Sequence, residues 1–129
     1  MKPVLIVTGG GRGIGAAVAR LAAQRGYAVC VNYRRDRDAA DAVVGAIRGG
    51  GGTAIAVQGD VAVEADVLRL FEAVDRELGP LTALVNNAGT LETQMRVEAM
   101  ELARWQRIFA ANVFGTFLCA REAVRRMST

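Results

Sequence analysis

Five glycines fall within seven residues at Gly9, Gly10, Gly11, Gly13 and Gly15, in the stretch Val7-Thr8-Gly9-Gly10-Gly11-Arg12-Gly13-Ile14-Gly15. Without side chains a ligand can approach the main chain closely, and the free N–H groups at a helix start bind phosphate through hydrogen bonds and a partial positive charge. The spacing G-x-G-x-x-A at Gly11, Gly13 and Ala16 satisfies the permissive form of a dinucleotide turn, although the stretch reads more naturally as T-G-x-x-x-G-I-G. A nucleotide-binding P-loop is excluded, because it needs a lysine after its last glycine and Lys2 is the chain's single lysine. Taken alone the turn also suits a flexible loop, so its meaning depends on the elements that flank it.

Those elements alternate. Val4 to Thr8 is an apolar run of strand length, and Ile14, Val18 and Leu21 then step at helical spacing, so the glycines lie between a strand end and a helix start. Gly26 stops that helix, Ala28 to Tyr33 predicts a second buried strand, Ala39 to Ile47 a helix, and Thr53 to Val57 a third strand after the turn Gly49 to Gly52. Val67, Leu70, Phe71 and Val74 mark a helix within Val63 to Leu78, which Gly79-Pro80 ends; Leu81 to Val85 predicts a fourth strand, and a long helical pattern fills most of Glu101 to Met127. Such alternation predicts an α/β fold with a doubly wound parallel sheet covered on both faces and no domain boundary. Asp60 and Asn86 then fall at the carboxyl ends of the third and fourth strands, where an open parallel sheet forms its ligand crevice.

Composition narrows the classes. At 129 residues, with 52% hydrophobic and 22% charged residues, the chain is neither disordered nor collagen-like and amounts to about one domain. No apolar stretch reaches the ~18 residues of a membrane helix, and the N-terminus turns glycine-rich too soon for a secretory signal. A cytoplasmic location without a membrane partner is therefore expected. The net charge of +3 comes from 16 basic residues dispersed among 13 acidic ones, which does not point to a nucleic-acid partner. Histidine is absent, and Cys30 and Cys119 lie in apolar surroundings without paired spacing, so no metal site is expected and both thiols read as buried small hydrophobes.

Thr8-Gly9-x-x-x-Gly13-Ile14-Gly15, followed in order by Asp60-Val61, Asn86-Asn87-Ala88-Gly89 and Asn112 within AANVFGTF, resembles the motif series of the short-chain dehydrogenases/reductases. The segments VNYRR and LVNNAG are similar to the sugar dehydrogenase and 3-oxoacyl-carrier-protein reductase branch. The resemblance implies a Rossmann-type sheet and a nicotinamide dinucleotide, with Gly9, Gly11, Arg12, Gly13, Ile14 and Gly15 at its phosphates. It further implies that Asp60 and Val61 meet the adenine, that Asn86, Ala88 and Gly89 line the ribose, and that Asn112 belongs to a catalytic proton relay. From the residues alone, Asp60 equally suits a turn or helix cap, the asparagine pair a loop tie, and Asn112 a buried amide with a hydrogen-bonding task.

The second strand bears on cofactor choice. An acid about 20 positions past the turn favours NAD and repels the extra phosphate of NADP. Tyr33 and Arg34 stand at that strand end instead, Arg35 follows, and Asp36 comes late. Arg34, with Arg12 in the turn, can pair with a phosphate through its fixed fork of donors, so NADP is expected ahead of NAD. The alternative is a solvated helix entry in which Arg34, Arg35 and Arg37 balance Asp36, Asp38 and Asp41.

By resemblance, hydride transfer between the nicotinamide and a small carbonyl or alcohol substrate requires a tyrosine acid/base, a lysine four residues on and a serine. Tyr27 and Tyr33 are followed at that distance by Val31 and Arg37, and the single serine is Ser128. The expectation is that residues 1–129 form the N-terminal, cofactor-binding half of a single-domain enzyme, an incomplete sheet of four strands with their helices. The tyrosine and lysine would lie in a C-terminal half, continuous with this one or associated with it. Residues 1–129 alone would be inactive, would expose the edge at Leu81 to Val85 together with Phe109, Phe114 and Phe117, and would belong to a homo-oligomer when complete. A non-catalytic dinucleotide-binding or sensing module is the alternative. A methyltransferase is disfavoured, because Asn86 to Gly89 would then have no reason to accompany the turn.

Overall fold

A computed structural model describes residues 1–90 and 92–128. Four strands, β1 (Val4–Val7), β2 (Ala28–Tyr33), β3 (Thr53–Gln58) and β4 (Leu81–Val85), form one parallel sheet in the order β3-β2-β1-β4. The helices α1 (Gly13–Gln24), α2 (Arg37–Gly49) and α3 (Glu64–Glu77) are the crossovers between them. After β4 come a short 3₁₀ turn (Val97–Ala99) and a helical rod made of α4 (Leu102–Phe109), a π-turn (Ala110–Phe114) and α5 (Gly115–Met127). The predicted α/β doubly wound sheet is thus the observed one, and its strand order reverses between β1 and β4.

Alternation along β1 sorts the core into two layers. Val4 and Ile6 pack with Val67, Leu70, Phe71 and Val74 of α3 and Cys119 and Ala123 of α5. Leu5 and Val7 pack on the other face with Ala19 and Ala22 of α1 and Val43, Val44 and Ile47 of α2. Strands buried on both faces read as continuous apolar runs, which is why β1 and β2 were legible. The β1–β4 register shifts between Val4 and Leu5; there the Val4 N–H donates to Thr82 Oγ1 at 3.1 Å, which satisfies a donor the ladder would otherwise orphan.

The spacing of Ile14, Val18 and Leu21 identifies α1 but not its buried face. Ile14 and Leu21 are exposed, and the residues turned inward are Gly15, Ala19 and Ala22. Small residues let the helix start approach the turn and sheet closely. Along the rod, Phe109, Phe114 and Phe117 are exposed, and β4 pairs with β1 alone among the described residues.

Candidate functional site

An open cleft of about 330 Å³ lies at the carboxyl ends of the strands. Gly9, Gly11 and Arg12 enter it from the turn after β1, Tyr33 and Arg34 from the end of β2, Asp60 and Val61 from beyond β3, and Ala88 and Gly89 from beyond β4. Gly13, Ile14, Gly15, Asn86 and Asn112 are not in its lining. Gly13 and Ile14 open α1, while Asn86 Nδ2 turns away to donate to the Thr116 carbonyl at 3.2 Å.

The turn is fixed from beneath. Gly9 has φ +60°, and a Cβ there would stand 3.0 Å from Ala88 Cα. At Gly15 a Cβ would fall 2.4 Å from the Gly9 carbonyl oxygen, so no larger residue fits the present packing. Thr8 is buried; its hydroxyl accepts from Asn87 N–H at 3.0 Å and Ala88 N–H at 2.9 Å and donates to Val85 O at 3.4 Å. Asn87 Nδ2 donates in return to the carbonyls of Thr8 and Gly9 at 3.1 and 3.0 Å. These bonds tie the end of β1 to the end of β4, where the strand order reverses and open α/β sheets bind ligands.

Asn32 consumes the next two amides: its Oδ1 accepts from Gly9 N–H at 3.2 Å and its main-chain oxygen from Gly10 N–H at 2.9 Å. The amides of Gly11 to Gly15 meet no acceptor among the described residues. Arg12 precedes α1 without capping it through its side chain. A helix start with several unspent donors beside a glycine-lined cleft fits the diphosphate of a dinucleotide.

On the β2–β3 side of the cleft, Arg34 Nε lies 3.2 Å from Asp60 Oδ2, and the Arg34 carbonyl accepts from Gln58 Nε2 at 3.0 Å. Asp60 Oδ1 also accepts from Ala62 N–H at 2.9 Å, so Asp60 does form the turn its sequence context allowed. Arg12 Nη1 stands 3.8 Å from Asp36 Oδ2, while Asp36 caps α2 by accepting from Ala39 N–H at 3.0 Å. Both arginines are more than half exposed. Such pairs hold weakly and leave each guanidinium able to meet an added anion.

Asn112 sits in the π-turn and spends its amide on one residue: Oδ1 accepts from Thr90 N–H at 2.7 Å and Nδ2 donates to Thr90 O at 3.0 Å. Gly89 and Thr90 line the cleft, so Asn112 positions that wall from behind. Its carbonyl accepts from Thr116 Oγ1 at 3.1 Å. π-Turns within α-helices recur at functional positions, and apolar spacing alone did not reveal this one.

Sequence reading did not single out Asn32 as part of the site. The signal was present as a lone amide in the apolar run AVCVNY, since a polar group in a buried strand must find partners. Burial pushes the thiol of Cys30 upward, assisted by Glu77, and that of Cys119 up to about 11, leaving neither poised as a nucleophile. Among the described residues no group of three or more histidine, cysteine or acidic side chains is placed to hold a metal, and no helix is long and apolar enough to cross a membrane.

Comparison with known proteins agrees with this architecture. Residues 3–129 match the family model described as short chain dehydrogenase. The chain is 49% identical over 125 residues to the uncharacterized oxidoreductase YgfF of Escherichia coli (strain K12), covering 97% of this chain and 51% of that protein. It is 40% identical over 124 residues to a 3-oxoacyl-[acyl-carrier-protein] reductase of Synechocystis, covering 96% and 50%. A solved short-chain dehydrogenase/reductase from Serratia marcescens superposes with a TM-score of 0.92 at 37% identity, covering 97% of this chain and 51% of that one. The chain spans about half the length of the curated relatives it matches. With the glycine turn, the strand order and the Asn86 to Gly89 segment in one arrangement, the chain belongs to the short-chain dehydrogenase family.

Proposed function

We propose that the cleft binds a nicotinamide dinucleotide, NADP in preference to NAD, and that residues 1–129 are the cofactor-binding half of a single-domain oxidoreductase acting on a carbonyl or hydroxyl substrate. The observation that carries the reading is the set of unspent amides from Gly11 to Gly15 at the start of α1, beside a cleft that Arg34 also lines from the end of β2. The amides and the positive helix end suit the diphosphate. Arg34 suits the 2′-phosphate, with Arg12 reaching from the turn. Gly13, Ile14 and Gly15 serve by starting the helix rather than by lining the cleft, Asp60 and Val61 border the adenine end, and Asn86, Ala88 and Gly89 form the ribose-side segment.

The bound nicotinamide would supply or accept the hydride. Asn112 holds the wall at Thr90 and belongs to the proton relay, whose tyrosine and lysine we assign to a further half of the domain. That half would cover β4 and the exposed phenylalanines of the rod. The complete enzyme is proposed to be a cytoplasmic homo-oligomer without nucleic-acid or membrane partners.

Fluorescence titration of the full-length protein with NADPH and NADH, beside turnover of a panel of carbonyl compounds, tests this reading. Tighter NADPH binding with turnover is expected, and no turnover from residues 1–129 alone. Equal affinities overturn the NADP assignment, binding without turnover of any substrate supports a sensing module instead, and absence of binding overturns the dinucleotide reading.

A further inference from the structure

We propose that Asn32 is a positioning residue for the cofactor, joining the glycine turn after β1 to the Gly59–Asp60 corner after β3 so that both hold the dinucleotide as one rigid site. The inference rests on the dinucleotide reading above and deepens it.

Asn32 is 2% exposed, in a strand whose preceding residues Val29, Cys30 and Val31 are fully buried. Its side-chain capacity matches its surroundings group for group. Oδ1 accepts from Gly9 N–H at 3.2 Å, while Nδ2 donates to Val57 O at 3.2 Å and to Gly59 O at 3.1 Å. One N–H and two carbonyls are met by one acceptor and two donors, a set that an amide supplies and that neither a carboxylate nor a hydroxyl supplies in full. An apolar residue of similar volume would leave all three backbone groups without this partner.

The placement of those groups makes the side chain more than a core filler. Gly9 opens the turn that leads to the free amides at the start of α1. Gly59 immediately precedes Asp60, whose carboxylate pairs with Arg34 at 3.2 Å, and Arg34 itself follows Asn32 by two residues. The Tyr33 carbonyl accepts from Gly59 N–H at 2.9 Å, so the corner is held to β2 from both of its backbone groups. Asn32 is a shared point: at the cleft lining its side chain joins the phosphate-binding turn to the Gly59–Asp60 corner, beside the main-chain bonds from Gly10 N–H to Asn32 O and from Gly59 N–H to Tyr33 O.

The test uses the full-length protein with NADPH and NADH as probes, each titrated by fluorescence at pH 8 and pH 5.5, with thermal unfolding measured in parallel. Asn32→Asp keeps the acceptor for Gly9 N–H but sets a carboxylate against two carbonyl oxygens. Protonation would restore one donor. Asn32→Asp is expected to weaken both dinucleotides roughly tenfold at pH 8, with the loss relative to the unmodified protein shrinking at least to about a third at pH 5.5. Asn32→Ser, small and neutral, is expected to weaken binding about fivefold at both pH values, and it reads the role even if the carboxylate variant does not fold. A purely structural role would lower the unfolding temperature and leave the affinity of the folded protein and its pH response unmoved. Affinities within twofold of the unmodified protein for the folded variants, or an Asn32→Asp loss independent of pH, overturn the proposal. Failure of the unmodified protein to bind either dinucleotide overturns the underlying reading instead.

Discussion

Asn112 clasps Thr90 by both backbone groups, its Oδ1 taking the N–H at 2.7 Å and its Nδ2 meeting the carbonyl at 3.0 Å. The pair spans 22 residues of sequence and ties the π-turn to the cleft wall. Asn112→Ala removes both bonds and should destabilise the protein by about 1–3 kcal/mol, measured by chemical unfolding. In the full-length enzyme kcat should fall more than cofactor affinity if the residue also belongs to the proton relay. Unchanged stability would show that the clasp holds nothing in solution.

Arg34 is expected to set cofactor preference. Arg34→Asp exchanges a guanidinium for a carboxylate in the cleft lining, next to Asp60. Loss of a charge-assisted contact to the 2′-phosphate is worth ~1.5–3 kcal/mol, roughly tenfold to a hundredfold in affinity. The ratio of NADPH to NADH affinity should drop by that factor, and an unaltered ratio would assign the discrimination elsewhere.

Gly15 should tolerate no enlargement. A methyl group there would meet the Gly9 oxygen at 2.4 Å and Asn87 Nδ2 at 2.5 Å, disturbing the bonds that tie the turn to β4. Gly15→Ala should cost about 1–3 kcal/mol and weaken dinucleotide binding together with stability. Wild-type melting with full affinity would mean that α1 shifts freely.

Glu122 makes stability depend on acid. It is buried on α5, with Oε2 taking bonds from Arg121 and Arg125 at 3.0 and 2.7 Å and Oε1 from Arg126 at 3.0 Å. Burial alone would raise its pKa, yet the hydrogen bonds from Arg126 and Arg121 together with the charges of Arg125 and Arg121 outweigh burial and hold it below the ordinary 4.5. The folded state therefore favours the carboxylate, so this stabilisation is full above 4.5 and declines as pH falls from there through the lowered folded value. Glu122→Gln should flatten that part of the stability profile in urea unfolding; a profile as steep as the unmodified protein's would assign the acid sensitivity to other carboxylates.

The strands were legible because a parallel sheet covered on both faces demands unbroken apolar runs, as in Val4 to Val7 and Ala28 to Val31. The buried face of α1 was not. Ile14 and Leu21 carry the helical spacing, while the sheet side is chosen by the small size of Gly15, Ala19 and Ala22, a matter of clearance rather than hydrophobicity. At the site, residues within one turn could be read together: Gly9, Gly11 and Arg12 line the cleft, while Gly13, Ile14 and Gly15 of the same stretch open α1 instead. The partners of Asn32, Asn87 and Asn112 could not be read, because an amide's type announces that it needs partners but not which carbonyls the topology will bring. Thr8 and Asn87 are 79 residues apart and meet because β1 and β4 are neighbours in the sheet.

The π-turn at Ala110–Phe114 also sets the rotational phase of everything after it. Successive residues of an α-helix advance by about 100°, so a helix that takes up one additional residue in a widened turn changes which side chains face inward beyond that point. Winding the same residues as regular α-helix from α4 into α5 would turn the downstream segment by about that angle. Cys119, Glu122 and Ala123 would leave the buried side of α5, and exposed neighbours would take their places against the core. The widened turn thus acts as a phase adjuster, letting one rod meet the cleft wall through Asn112 and the sheet through α5, two faces that an uninterrupted helix of the same sequence would present at a different relative angle.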